Sequence, residues 1–251
     1  MKTKVSVIWM TRKRESELVF SLTSFIVNAD DNTNVEYIIV GDPDDPGTEK
    51  ALSDITLMAH PYDTELIYLK SDKHYGYTEL EQYQNQAGKV FTGDCLMIMN
   101  DDVVCMDKGW DTKIRNSIDE KLDKPIWLGL TPMNEYWKGT PNFVGINRKW
   151  YETTGRVSGT RATDGYIKLV GNAAKIEMVD PKFNFLHLQR GKANFDYNYN
   201  GETKVAFGLP DDGAGGYPTK NPIPPKYEFH EGLGKVRLEE DVLKLKEFSV
   251  K

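Results

Sequence analysis

Short apolar runs alternate with polar, turn-forming stretches through the first hundred or so residues, and their spacing sets the elements. Residues 4–10 (KVSVIWM) are rich in β-branched and aromatic side chains, which predicts a buried strand. Leu18, Leu22, Phe25 and Ile26 then recur at helical spacing, predicting an amphipathic helix over 16–28. Residues 35–40 (VEYIIV) predict a second strand, followed by a Pro- and Gly-dense loop after which Thr48 can cap a helix through Leu57. A third strand is expected over 65–69, a polar helix over 78–90 and a fourth strand over 95–99 (CLMIM). This alternation predicts an α/β fold with a mostly parallel central sheet and helices on both faces.

The second half is patterned differently. Residues 127–130 and 142–147 read as short strands. Residues 148–154 read as a short helix stopped by Gly155, and 164–172 as another helix. Two short strands follow, over 175–179 and 184–188. Residues 191–227 are dense in Gly, Pro, Asn, Asp and Tyr; a stretch of that length and composition reads as a functional lid, a partner-binding arm or a partly disordered segment. A charged amphipathic helix over 236–250 closes the chain.

In an open parallel sheet, ligands bind beyond the carboxyl ends of the strands. The polar groups at residues 11–14, 41–45 and 100–102 all follow strands directly, so they should meet on one edge. Asn100-Asp101-Asp102, after an apolar strand, is the most telling. Carboxylates at the mouth of a buried strand need compensation. A divalent cation with a diphosphate supplies it, because Mg2+ and Mn2+ prefer oxygen ligands and bridge phosphates. An acidic turn or helix cap is the plainer reading of the same residues.

Composition narrows the partners. Hydrophobic residues make up 39% of the 251 and charged residues 28%, as in soluble globular proteins, and the net charge of −6 gives no reason to expect a nucleic-acid partner. The two cysteines, Cys95 and Cys105, read as buried free thiols. The apolar stretch near the start is about five residues, which suits a core strand and not a signal peptide. No apolar run approaches the roughly 20 residues that a bilayer crossing needs. The expected compartment is cytoplasmic.

Three fragments in order carry a family resemblance. YQNQA, then FTGD, then LMIMNDDV is similar to the segment ARNxGxxxAxGDxxxxLDxDD of family-2-like, inverting glycosyltransferases of the GT-A fold. VSVIWMTRKR resembles the start of that fold, and VEYIIVGDPDDPGT its second strand and loop. TPNFVGINRKWYETTG and ATDGYIKLVGNAAKIEMVD resemble its acceptor-side stretches.

The resemblance implies a nucleotide-diphospho-sugar transferase, with a catalytic domain over 1–190 and the arm and last helix, 191–251, packed on it. Residues 1–105 would form the nucleotide-binding half and 106–190 the acceptor half. Thr11 and Arg12 would hold the nucleotide, with Asp42 on the base, and Asn85, Asn100 and Asp101 would complete the donor site. Asp102 and His187 would ligate Mn2+ or Mg2+, and Arg190 with Lys192 would meet the leaving diphosphate. Asp164 would be the general base, with a UDP-sugar as the default donor, a guanosine nucleotide next, and a saccharide or other hydroxyl compound as acceptor.

Two departures matter: Asn100 replaces the first Asp of the DxD motif, lowering the negative charge, and Arg12 replaces an aromatic, although its planar guanidinium can stack on a base. From the residues alone, Asp164 reads equally as a helix N-cap, and His187 as a hydrogen-bonded core residue. Trp110, Tyr136, Trp137, Trp150 and Tyr151 could form a sugar platform or pack in the core. The loop 211–217 could close over nucleotide, and the arm with the last helix could support a homodimer. A sugar nucleotidyltransferase, or a carbohydrate- or nucleotide-binding protein that has lost its chemistry, would fit the same pattern. The first of these should carry a Gly-rich basic loop after its first strand, and TRKRES has no glycine.

Overall fold

Every apolar run of the first hundred residues forms a strand, and side chains along each strand alternate between two cores. The computed structural model describes residues 2–76, 79–134, 141–188 and 233–249. The elements in the first half are β1 (Val5–Thr11), α1 (Glu15–Asn28), β2 (Val35–Gly41), α2 (Pro46–Ala59), β3 (Glu65–Lys70), α3 (Leu80–Gly88) and β4 (Cys95–Asn100). The second half adds β5 (Val103–Cys105), α4 (Trp110–Ile118), β6 (Ile126–Leu130), β7 (Phe143–Asn147), α5 (Arg148–Thr154), α6 (Thr163–Ala174), β8 (Glu177–Val179), β9 (Phe185–His187) and α7 (Leu233–Ser249).

Seven strands form one sheet in the order β3-β2-β1-β4-β7-β6-β8. All run parallel except β7, which is antiparallel to both β4 and β6. The period of two places Val5, Val7 and Trp9 in one core and Ile8 in the other. The first core lies under α1, α2 and α4, the second under α3, α5, α6 and α7. Full burial of each Val, Leu, Ile or Phe contributes about 1.5–3 kcal/mol. Among the described residues, no helix is long and apolar enough to cross a membrane.

Four local features differ from the sequence reading. Helix α2 is capped by Asp45, whose carboxylate accepts from Thr48 N at 3.4 Å, and begins at Pro46; Thr48 lies inside it. Pro46 supplies a preset φ where no amide donor is needed. Helix α4 was not anticipated, because its stripe of Trp110, Ile114 and Ile118 is set among charged residues. Among the described residues, strand β5 pairs only with β9, through Val103↔His187 to Cys105↔Phe185, so its partner lies some eighty residues away. Helix α6 starts one residue before Asp164 with Ala162 as its N-cap, so Asp164 is not the cap. Gly155, by contrast, ends α5 as expected, at φ +78 where a side chain would be strained.

Candidate active site

The polar groups that follow the strands do meet on one edge. Thr11, the last residue of β1, donates its hydroxyl to Asp101 Oδ2 at 2.9 Å. Arg12 reaches Asp42 Oδ2 at 2.8 Å and also clasps Asp44. Lys13 adopts φ +52, which turns its amide to Asp45 Oδ2 at 2.7 Å. Arg14 is the N-cap residue of α1, and its guanidinium reaches Asp101 Oδ1 at 2.6 Å and Asp102 Oδ2 at 3.4 Å.

Asp42 is the hub of one end of this edge. It is 2% exposed, and besides Arg12 it meets Ser71 Oγ at 3.3 Å, His74 Nδ1 at 2.7 Å and the hydroxyl of Tyr83. Burial, then the hydrogen bond to Asp42, holds the Tyr83 phenol well above its ordinary pKa, so it remains a donor. Ser71, His74 and Tyr83 were missed from sequence. One signal could have found the first two: they follow β3, whose carboxyl end lies on the same edge. Arg14 was within a group singled out, but its role was not.

Asp101 and Asp102 are both buried, while the Asn100 side chain at the strand end is exposed. The β5–β9 ribbon brings His187 to this point: its register sets His187 opposite Val103, and Leu188 N donates to Asp102 O at 2.9 Å. Asn134 clamps the His187 backbone through two hydrogen bonds of 2.7 and 3.0 Å, and Phe143 packs edge-on against the ring. Nε2 of His187 then stands 3.2 Å from Asp102 Oδ1. Burial would raise the Asp102 carboxyl, but His187 and Arg14 outweigh it and hold the group below its ordinary pKa.

These two groups suit a divalent cation. Asp102 Oδ1 is buried and makes no hydrogen bond of acceptable geometry, although His187 Nε2 faces it within ion-pair distance. An imidazole nitrogen beside an orphaned carboxylate oxygen is a donor pair of the kind Mn2+ accepts. Among the described residues no cluster of three or more His, Cys, Asp or Glu could hold a metal unaided.

The topology puts Asp164 on the same edge. Strand β8 is parallel to β6, so its first residue lies at the opposite edge; α6, which feeds it, runs away from the strand ends and starts near them. Asp164 is in the first turn of α6, half-buried, and burial raises its carboxyl above the ordinary 3.8.

The other residues singled out from sequence are placed as follows. Asn85 bonds to the segment that leads into α6. Its Oδ1 accepts from Val157 N and Ser158 N, at 2.8 and 3.2 Å, and its Nδ2 donates to Ser158 O at 2.9 Å. Trp110 and Trp150 are core residues, the former donating its ring N–H to Phe25 O at 2.8 Å. Tyr151 lies half-buried, edge-on to Phe91. Arg190, Lys192, Tyr136, Trp137 and the stretch 191–227 with its loop 211–217 lie outside the described residues.

No family model and no curated protein sequence matches the chain. Solved structures do match it. The mannosyltransferase PcManGT from Pyrobaculum calidifontis, in complex with GDP-Man and Mn2+, aligns with all of this chain and 76% of its own, at TM-score 0.62 and 12% identity. Residues 1–349 of TarS from S. aureus, in complex with UDP, align at TM-score 0.57 and 13% identity over 72% of this chain. GalNAc-T7 with UDP, GalNAc and Mn2+ aligns at TM-score 0.54 and 11% identity, over 74% of this chain and 44% of its own. The matched part of the chain spans only 59% of the TarS fragment. At these identities the likeness is one of fold, and the fold is GT-A, the α/β architecture of these nucleotide-sugar glycosyltransferases.

Proposed function

We propose that this chain transfers a glycosyl group from a nucleoside-diphosphate sugar to a hydroxyl acceptor, with inversion at the anomeric carbon. The observation that carries the reading is the Asp102–His187 pair, set at the strand-end edge of a GT-A sheet with one carboxylate oxygen left without a hydrogen bond. The catalytic domain is residues 1–190, and residues 1–105 bind the nucleotide. A UDP-sugar is the first donor to test and a GDP-sugar the second, since neighbours of both kinds share the fold.

Asp42, Arg12 and Thr11 line the pocket for the nucleoside, and the Arg12 guanidinium offers a flat cationic face to a base. The exposed Asn100 amide and the Asp101 carboxylate stand beside the ribose and diphosphate. Asp102 and His187 would hold Mn2+ or Mg2+, which when bound supplies positive charge to offset that of the leaving diphosphate. Arg14, already on Asp101 and Asp102, adds fixed positive charge to the same place. Arg190 is assigned to the diphosphate as well. Asp164 accepts the proton of the acceptor hydroxyl as its oxygen bonds to the anomeric carbon; the bond from that carbon to the phosphate oxygen breaks, and its electron pair leaves with the diphosphate.

Donor hydrolysis and transfer, measured with UDP- and GDP-sugars, test this directly. Activity should vanish in EDTA and return with Mn2+, and unchanged activity in EDTA would remove the metal. Asp164→Asn should lower kcat by about 10^2–10^4-fold. Because burial raises Asp164, the rate should climb with pH through a value above 3.8, and full activity in the variant would remove the base. The shift has a stability counterpart. The folded protein holds this proton more tightly than the unfolded chain, so the contribution is present at low pH and is lost as pH rises through the raised pKa.

A further inference from the structure

Three consecutive residues of α3 reach three different segments of the site. The Tyr83 hydroxyl donates to Asp42 and accepts from Tyr75 N at 2.8 Å and Gly76 N at 3.0 Å, pinning the loop that carries His74. Gln84, only 3% exposed, accepts a hydrogen bond from the hydroxyl of Thr163, the residue before Asp164. Asn85 holds the backbone of Val157 and Ser158, in the segment that leads into α6. One helix nine residues long therefore touches the nucleoside end of the site with one side chain and the base-bearing end with the next two.

A helix that merely fills space would bury apolar groups at these positions, since each buried amide or hydroxyl costs free energy unless its partner is held in place. Here the partners are the two loops that carry His74 and precede Asp164. Helix α7 joins α3 to the same region: Arg237 Nη1 lies 3.6 Å from Glu81 Oε1 of α3 and donates to Gly159 O at 2.9 Å, and Asp241 Oδ2 accepts from Tyr166 of α6 at 2.6 Å. The direct bonds of Gln84 and Asn85 and the Arg237 link both tie α3 to residues 157–163.

Building on the function proposed above, we propose that α3 is a positioning helix. Through Tyr83 at one end and Gln84 with Asn85 at the other, it makes nucleotide occupancy at Asp42 set the placement of Asp164. A nucleotide that engages Asp42 or Arg12 changes the hydrogen bonding of the carboxylate that anchors Tyr83. For the coupling to hold, a placement of α3 with Tyr83 released from Asp42 must differ in nucleotide affinity from the one seen, the condition for a ligand to shift one toward the other.

Amide hydrogen exchange on the full chain with Mn2+ and either UDP or GDP tests this. Nucleotide should protect residues 41–45 and 71–76 and, in the same titration, residues 157–166, by about fivefold or more. Thr163→Val, which keeps the shape and removes the hydroxyl, should retain protection at 41–45 and 71–76 and lose the nucleotide-dependent part at 157–166. Thr163→Ser should restore it. A purely structural bond would loosen 157–166 equally with and without nucleotide. Protection confined to 41–45 and 71–76 in the wild-type chain would overturn the coupling and leave the transferase reading standing. No protection anywhere with either nucleotide would overturn that reading, and the coupling with it.

Discussion

The two edges of the sheet both bury carboxylates, and they satisfy them in opposite ways. At the amino-terminal edge Glu36 is fully buried and accepts from the Ser6 hydroxyl, the Thr92 amide, the Thr92 hydroxyl at 2.6 Å and Gly93 N at 3.2 Å. Asp94 accepts from Lys4 N at 2.8 Å. These donors are backbone amides and short hydroxyls that cannot leave without opening the sheet, and one cation, Lys4 Nζ at 3.3 Å from Glu36 Oε2, adds to them. At the carboxyl-terminal edge Asp42, Asp101 and Asp102 are held mainly by Arg12, Arg14, His74 and His187, all longer side chains that can turn to a ligand. A buried carboxylate met by fixed donors is a structural joint. One met by movable cations, with an oxygen left over, is suited to exchange those partners for a ligand.

The largest effect that would sharpen this contrast is at Asp102. Asp102→Asn keeps the shape and removes the charge, and it should lower transfer by about 10^3-fold, near 4 kcal/mol in the barrier. Its cost in stability should stay within about 1 kcal/mol, because Arg14 keeps Asp101. Steady-state rates beside urea denaturation make the comparison, and an unfolded Asp102→Asn would show that this edge is a joint after all.

Glu36→Ala should do the reverse. It leaves the donors of Ser6, Thr92 and Gly93 unpaired and should cost about 2–4 kcal/mol of stability, with activity per folded molecule unchanged. Burial would push the Glu36 carboxyl up, but the hydrogen bonds from Ser6 and Thr92 outweigh it, and its pKa lies below the ordinary 4.5. Its contribution is therefore complete above that value and is lost as pH falls through the depressed pKa. The wild-type chain should lose more stability on acidification below 4.5 than Glu36→Ala does; equal acid sensitivity of the two would break the assignment of Glu36 as a joint.

The same contrast explains what could be read from sequence. The strands were legible because their apolar runs are dense and their period is two, and the convergence of residues 11–14, 41–45 and 100–102 followed from parallel order alone. The meeting of Asp102 with His187 depends on a three-residue ribbon between β5 and β9, too short for any periodic signal; only the resemblance pointed to His187. The Gly93-Asp94 pair belongs to the other edge. A Cβ on Gly93 would fall 2.4 Å from Ser6 Oγ and 2.9 Å from Lys4 O, so glycine is needed there for close packing of the sheet. Motif spacing could not separate that residue from Asp102, because both edges are joined by one six-residue strand. Asn85 shows a related limit: motif spacing says nothing of its partners, which are Val157 and Ser158, some seventy residues away.

The smallest expected effect is the finest test of the two edges. Thr11→Val removes the hydroxyl that meets Asp101 and changes little else in shape. Asp101 keeps Arg14 at 2.6 Å, a charge-assisted bond from a long side chain that can re-centre on the carboxylate. The loss should therefore be one ordinary hydrogen bond, about 1 kcal/mol, seen as a shift of the urea midpoint at constant slope. Thr92→Val at the other edge removes a hydroxyl that lies between Glu36 Oε2, at 2.6 Å, and Lys4 Nζ, at 2.8 Å. That hydroxyl links acceptor and donor in one place; Lys4 Nζ can close on Glu36 Oε2, already 3.3 Å away, but the fixed amides of Thr92 and Gly93 cannot re-centre, so this second loss should be the larger. If Thr11→Val proved the costlier of the two, the movable cations would not be compensating for it, and the upper edge would be as rigid as the lower.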